Sequence, residues 1–418
     1  MKSKRYGRPL SPLERYSLVI NTVSPYRVDG IIEGDGELDV NRLRQAVACA
    51  AEANPAIRVR LRGWLGNCRW VDSGQPPRVY EVMDSLWDGQ TEQYMPGYDH
   101  RLDAAAGGAC SDIFLVHGRD GKLRLLFRGV HAALDGRGMT FWITEVFRAL
   151  RGEPLLGSGS MLTDQDIQDK FTTEVALAPA GPPAKPCIAV VPAAPEARDT
   201  RFIWRRVILS GHRRLMLGKL ACFLAAYARI QGEGDVAFTC PIDYRGLRTQ
   251  AMSLGNLTGF IRLSVEPGDK PTDVMRQLKH RVEHFADCRQ IPGIRRIQWI
   301  PLTYMARQLR RGLDALLFTP NVHMPTGGVV SMGVLQRENF SCAGFSARAI
   351  YAIPGAVGKL NVVFTEHDAE TIITIAAPAA YNHQGQLDVM IHALTQHFKS
   401  QVTPVIKDAT MNVAGAMP

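Results

Sequence analysis

The chain has no run approaching the ~18 consecutive apolar residues that a membrane-spanning helix requires, which excludes a helical membrane protein. Its eight cysteines (Cys49, Cys68, Cys110, Cys187, Cys222, Cys240, Cys288 and Cys342) include no Cys-x-x-Cys pair. That removes the zinc-ribbon and thioredoxin-type motifs. The scattered thiols, with Cys49 and Cys222 inside helical apolar patterns, read as reduced and mostly buried. There is no Gly-x-Gly-x-x-Gly and no P-loop, so neither glycine-rich phosphate cradle is present. Aromatic residues make up only 8% of the chain, and no ribonucleoprotein box, zinc finger or helix-turn-helix signature occurs. A nucleic-acid partner is therefore not expected. Ser160, Ser253 and Ser331 lack a nucleophile-elbow pattern. The basic start, Met1-Lys2-Ser3-Lys4-Arg5, leads into no apolar signal segment. The expected location is cytoplasmic.

What is present fits a globular protein: 418 residues, 46% hydrophobic and 21% charged, with a formal charge of +9. The length allows two domains of about 200 residues each. Pairs such as Arg205-Arg206, Arg213-Arg214, Arg295-Arg296 and Arg310-Arg311 read individually as solvated basic surface. Ser11-Pro12-Leu13-Glu14 has capping-box spacing with proline at the first helical position. Asp39 is placed to cap a helix over Val40 to Ala53, which Asn54-Pro55 ends. Strands are expected at Val28 to Glu33, Ile57 to Leu61 and Cys68 to Val71. Later strands are expected at Phe202 to Leu209, Val236 to Ile242, Gly259 to Val265, Ala315 to His323, Gly344 to Ile353, Leu360 to Glu366 and Thr371 to Ala377. Helices are expected over His212 to Gln231, Thr272 to Cys288, Leu302 to Gly312 and Leu387 to Phe398. The proline-alanine stretch 177–199 suits neither helix nor central strand. It divides the chain into halves at 1–176 and 200–400, with a loose tail at 401–418.

The segment richest in chemistry is Val130-His131-Ala132-Ala133-Leu134-Asp135-Gly136-Arg137-Gly138. It follows a strand hairpin, Asp112 to His117 and Lys122 to Val130, turning at Arg119-Asp120-Gly121. It precedes a helix expected over Met139 to Leu150. A histidine displayed at a strand end can take a proton from a hydroxyl or amine near neutral pH. Gly136 and Gly138 suit a sharp turn before the helix. His280 and His284 lie one helical turn apart without a third ligand at suitable spacing, so no metal site is expected.

In these residues the chain resembles the coenzyme A- or carrier-dependent acyltransferases. That superfamily includes chloramphenicol acetyltransferase, condensation domains of nonribosomal peptide synthetases, and alcohol or polyketide-associated acyltransferases. His131 and Asp135-Gly136 match its His-x-x-x-Asp-Gly signature. Leu10 to Arg15, Gly36 to Leu43 and Asn54 to Arg58 resemble its opening passages. Pro241-Ile242-Asp243-Tyr244-Arg245 and Gly255-Asn256-Leu257-Thr258-Gly259 resemble its second-half passage. The likeness spans roughly residues 8 to 400. It departs at Val130, where condensation domains usually carry a first histidine. That weakens the assignment to a standard peptide-bond-forming domain.

The resemblance implies a mixed α/β fold of two chloramphenicol-acetyltransferase-like halves, a V-shaped pseudo-dimer with a central tunnel. It implies His131 as general base, and Asp135 as a brace paired with Arg245. His323 falls where the family lines its tunnel, Asn256, Asn321 and His323 are the expected substrate-binding residues, and the backbone N–H of Gly136 with a second-half residue such as Asn256 or Asn321 would serve a developing oxyanion. No tightly bound cofactor or metal is implied. The co-substrate would be acyl-CoA or a phosphopantetheinyl thioester on a carrier protein, and the acceptor a small alcohol or amine. The expectation is a free-standing monomeric enzyme with no membrane or nucleic-acid partner. Two other readings stay open: a condensation-like enzyme turned to cyclisation, and a non-catalytic carrier-binding relative.

Overall fold

Capping starts the first helices. In α1 (Pro12–Val23), Glu14 N donates to Ser11 Oγ at 3.2 Å and Ser11 N donates to Glu14 Oε2 at 2.9 Å. In α2 (Val40–Ala53), Arg42 N donates to Asp39 Oδ1 at 2.7 Å, and Leu43, Val47 and Ala50 form the buried face. The structure, a computed structural model, describes residues 6–172, 186–193, 199–211, 214–245, 252–284, 294–318, 324–355 and 358–400. Asn321, His323 and most of the 177–199 stretch lie outside the described residues.

The described strands in chain order are β1 (Gly7–Pro9), β2 (Arg27–Gly36), β3 (Val59–Arg62), β4 (Arg69–Asp72), β5 (Arg78–Ser85), β6 (Ser111–Gly118) and β7 (Leu123–Val130). They continue with β8 (Phe202–Ser210), β9 (Ala237–Asp243), β10 (Thr258–Ser264), β11 (Gly327–Val334), β12 (Phe345–Ile353), β13 (Asn361–Glu366) and β14 (Glu370–Pro378). Three sheets result: β12-β2-β7-β6-β5, β10-β9-β11-β13-β14-β8, and the small β1-β4-β3. The fold is mixed α/β. Strand β12 comes from late in the chain yet pairs with β2, so the first large sheet draws on both halves.

Strand β7, at the middle of this sheet, is buried on both faces. Leu123, Leu125 and Phe127 join a core with α2 and α3 (Gly136–Leu150), including Val47, Trp142 and Phe147. The alternate residues Arg124 and Arg128 are also buried, neutralised by Glu33 (2.7 Å) and Asp112 (2.5 Å). Between them Leu126 meets Trp87, Trp204 and Tyr351, a cluster drawn from both large sheets. Arg205 and Arg206 help to join the sheets. Arg205 pairs with Glu92 and Asp388, and Arg206 with buried Glu33. They are therefore structural, not a solvated basic patch. The second sheet packs on α5 (Met216–Gln231) and α8 (Gln386–Ser400) through Leu220, Leu224, Phe238, Val329, Ile373 and Leu394.

Several expectations are corrected. Ala315 to Phe318 is helical, the end of α7 (Leu302–Phe318). Leu309, Leu313 and Leu317 keep a helical spacing against Tyr16 and Ile20 of α1, so the helix runs on. Helix α5 begins at Met216, not His212, because Leu215 takes a left-handed φ of 59°. Helix α6 (Pro271–Glu283) ends before His284. Cys49 is exposed rather than buried. The sequence reading does not include strands β1, β5 and β11 or helix α4 (Asp164–Thr172). Strand β11 opens on Gly327-Gly328 and carries a further glycine at Gly333, with only its first three residues buried, so period-2 patterning does not reveal it. Among the described residues no helix is long and apolar enough to cross a membrane.

Candidate active site

Strand β7 ends at Val130, whose N–H donates to Cys110 O at 2.8 Å, and His131 N donates to Tyr26 O at 3.1 Å. The half-buried His131 ring stacks on Tyr26, with centroids 4.7 Å apart and planes at 14°. Burial pushes the Tyr26 phenol up to about 12, so the platform is neutral. Burial also holds His131 below its ordinary 6.5, against the opposing pulls of its own backbone carbonyl and of Asp135. At neutral pH the imidazole is therefore uncharged.

Asp135 is the N-cap of α3 and faces away from the ring's open side into a closed set of donors. Its carboxylate accepts from Gly138 N (2.8 Å), Leu257 N (2.8 Å), Thr258 Oγ1 (3.0 Å), Arg245 Nη1 (3.0 Å) and Arg245 Nη2 (3.1 Å). Arg245 also donates to Asp243 Oδ1, Ser253 O and Gly255 O, at 2.8, 2.8 and 2.5 Å. The pair is buried, with side-chain exposures of 8% for Arg245 and 3% for Asp135. It fixes the His131 loop to the 253–258 loop.

Helix α3 starts at Gly136, earlier than the pattern suggested, and neither Gly136 nor Gly138 has a positive φ. Proximity, not turning, requires the glycine at 138 and leaves only a tight fit at 136. A Cβ on Gly138 would stand 2.2 Å from Leu254 O, and one on Gly136 would stand 3.2 Å from Met332 Sδ.

Asn256, 3% exposed, is drawn to His131. Its Nδ2 donates to His131 O at 2.9 Å and stands 3.3 Å from Nδ1. The ring opens on a cavity of about 160 Å³. Val28, Phe260, Val330, Met332 and Val363 supply its apolar wall, and Thr239, Thr258 and Asn361 its polar groups. Arg27, Ile353, Pro354 and Gly355 also line a second cavity of about 190 Å³.

His131, Asp135, Gly136, Arg245 and Asn256 thus lie together, whereas Asn321 and His323 are outside the described residues. Tyr26 and Met332 belong to the site but carried no sequence signal of their own, and Thr258 was seen only as part of the 255–259 passage. Met332 sits on β11, a strand the sequence pattern did not disclose. His280, on α6, and His284, just past its end, stack at 4.2 Å, and His284 Nδ1 lies 2.8 Å from His280 O; neither lines the His131 cavity.

No family model matches the chain, and no curated protein matches it in sequence. Solved structures do match in fold. The condensation domain of the Monacolin K polyketide synthase MokA superposes with a TM-score of 0.60 at 12% identity, covering 94% of this chain and 97% of that one. The first condensation domain of the CDA synthetase gives 0.59 at 15% identity, covering 95% and 96%. A mutant starter condensation domain of the rhizomide synthetase RzmA, in complex with C8-CoA and Leu-SNAC, gives 0.59 at 14% identity, covering 94% of each chain. The chain has the condensation-domain fold over nearly its whole length.

Proposed function

We propose that this protein is an acyltransferase that moves an acyl group from a thioester of coenzyme A or a carrier protein to a hydroxyl or amine, with His131 as general base. The observation that carries this reading is a neutral, stacked His131 facing a largely apolar cavity, its loop clamped by the buried Asp135–Arg245 pair. In this reading the first half of the chain (1–176) supplies His131 and the second (200–400) supplies Arg245 and Asn256.

The reaction follows from the ring. A base at Nε2 needs its proton on Nδ1. In this reading Nδ1 carries that proton and donates it to His131's own carbonyl oxygen, which also accepts from Asn256 Nδ2 at 2.9 Å. The 3.3 Å approach of Asn256 Nδ2 to Nδ1 is then a packing contact between two donors. His131 Nε2 takes the acceptor's O–H or N–H proton while the acceptor's lone pair forms a bond to the thioester carbonyl carbon. The tetrahedral oxyanion collapses, the C–S bond breaks, and the imidazolium returns the proton to the thiolate. Ester or amide and free thiol are the products. The backbone N–H of Gly136, at the helix start beside the cavity, is the oxyanion donor. Asn256 is a positioning residue. The apolar wall from Val28 to Met332 takes the acyl group, and the second cavity past Arg27 and Pro354 gives the other substrate its own approach. The solved complex of a structurally similar domain with C8-CoA and Leu-SNAC supports a thioester donor here.

The test is thiol release from C8-CoA with a panel of amines and alcohols. Acceptor-dependent release that falls by about a hundredfold or more in His131→Ala supports the reading. Undiminished release in His131→Ala refutes it. Acceptor conversion without any thiol release points to cyclisation instead.

A further inference from the structure

A larger cavity, of about 430 Å³, opens elsewhere on the first half, and its walls are basic. It lies between β3 and β5, both edge strands of their sheets. Arg44 reaches it from α2, Arg58 and Arg60 from the β3 region, and Arg78 from the start of β5. No carboxylate lines it. Arg58 is neutralised by Asp72, with Nε at 2.8 Å and Nη2 at 3.0 Å from the carboxylate. Arg44 meets only neutral acceptors, Asn41 Oδ1 at 3.1 Å and Val79 O at 3.4 Å. Arg60 and Arg78 have no salt-bridge partner among the described residues. Three arginines, Arg44, Arg60 and Arg78, therefore line one concavity without a salt-bridge partner among the described residues.

The walls are preorganised. Ser73 Oγ donates to Arg58 O at 2.6 Å, Gly74 N donates to Asp72 Oδ1 at 2.8 Å, and Gln75 N donates to Ser73 Oγ at 3.2 Å. Pro76 and Pro77 then stiffen the approach to Arg78. The turn that forms this wall is therefore fixed before a ligand arrives. The cavity shares no lining residue with the His131 chamber.

Arginine forks match phosphate oxygens bidentately, and the volume is that of a small-molecule site and not of a flat protein-docking face. We propose that this arginine-lined cavity is a second binding site, which takes a phosphate-bearing small anion of nucleotide size. It is independent of the acyl-transfer chemistry.

Calorimetric titration of the full chain with pyrophosphate, and separately with ADP, tests the assignment. Saturable binding with one site and a Kd below about 1 mM is expected. Affinity should drop at least about tenfold in Arg60→Ala/Arg78→Ala and remain unchanged in His131→Ala. Arg78 is exposed, so the single Arg78→Ala variant serves if the double variant loses its circular-dichroism signature. Absence of saturation at about 10 mM, or equal affinity in the arginine variants, overturns the proposal. So does saturation by an acidic glutamate peptide without pyrophosphate or ADP binding. None of these outcomes depends on whether the protein transfers acyl groups.

Discussion

Replacing Asp135 by alanine removes a carboxylate that satisfies five donors at once. Breaking one side of a buried ion pair costs about 3–5 kcal/mol. Two buried backbone N–H groups, of Gly138 and Leu257, also lose their acceptor, at about 1–3 kcal/mol each before relaxation. Arg245 keeps Asp243 at 2.8 Å and two carbonyl acceptors, which offsets part of that loss. We expect a net destabilisation of about 4 kcal/mol. At about 2.1 cal/mol/K per residue over 418 residues, one cooperative transition would shift down by about 5 °C. The assay is urea unfolding of wild type, Asp135→Ala, Arg245→Met and the double variant. The two single losses should overlap, giving a coupling energy of at least about 1.5 kcal/mol. A coupling below about 0.5 kcal/mol would refute the claim that the pair acts as one unit. Acyl transfer should fall in both single variants, because the loop that carries His131 is no longer held.

Three further outcomes follow from the same geometry. Because burial holds His131 below its ordinary 6.5, kcat/KM for transfer to a hydroxyl acceptor, which does not itself titrate in this range, should already be on its plateau at pH 7 and fall only at lower pH, where the imidazolium forms; a rate to that acceptor still rising from pH 7 to 8 would contradict this assignment. Asn256→Ala should lower kcat by about tenfold to a hundredfold with little change in melting temperature, since it releases the carbonyl that orients the ring; an effect on KM alone would reassign it to substrate binding. Asp164, buried beside Glu14 and only partly relieved by Ser11 and Arg8, has its carboxyl raised to about 7 by burial. A raised carboxyl stabilises the fold while protonated, and that contribution is lost as pH climbs from about 4 through 7. Asp164→Asn should therefore stabilise most above pH 7, with a ceiling of about 4 kcal/mol. Equal unfolding free-energy differences at pH 5 and pH 8 would show that the buried carboxyl does not titrate this way.

Local chemistry was readable wherever it is written within a few residues. The Ser11–Glu14 cap, the Asp39 cap and the β6–β7 hairpin need only neighbouring side chains and a tight turn. The joint between Ala315 and Phe318 misled because a short apolar run suits strand and helix equally, and packing against α1 decided it. The glycines of the His131 loop were read as turn formers. Gly138 is in fact set by the Leu254 carbonyl, more than a hundred residues away in sequence.

By itself the sequence determined the alternation of elements, the display of His131 at a strand end and the residue types able to brace it. Local periodicity and capping act over one or two turns of chain, so they survive without a fold. Tertiary structure decided the rest. Only the fold brings Tyr26 under the imidazole, commits Asn256 to the His131 carbonyl and inserts β12 beside β2. It alone shows that Arg205 and Arg206 are consumed inside the molecule while Arg60 and Arg78 are not. Charge in a sequence is a count. Whether a charge is available to a ligand depends on what lies within about 4 Å, and that distance is set by packing.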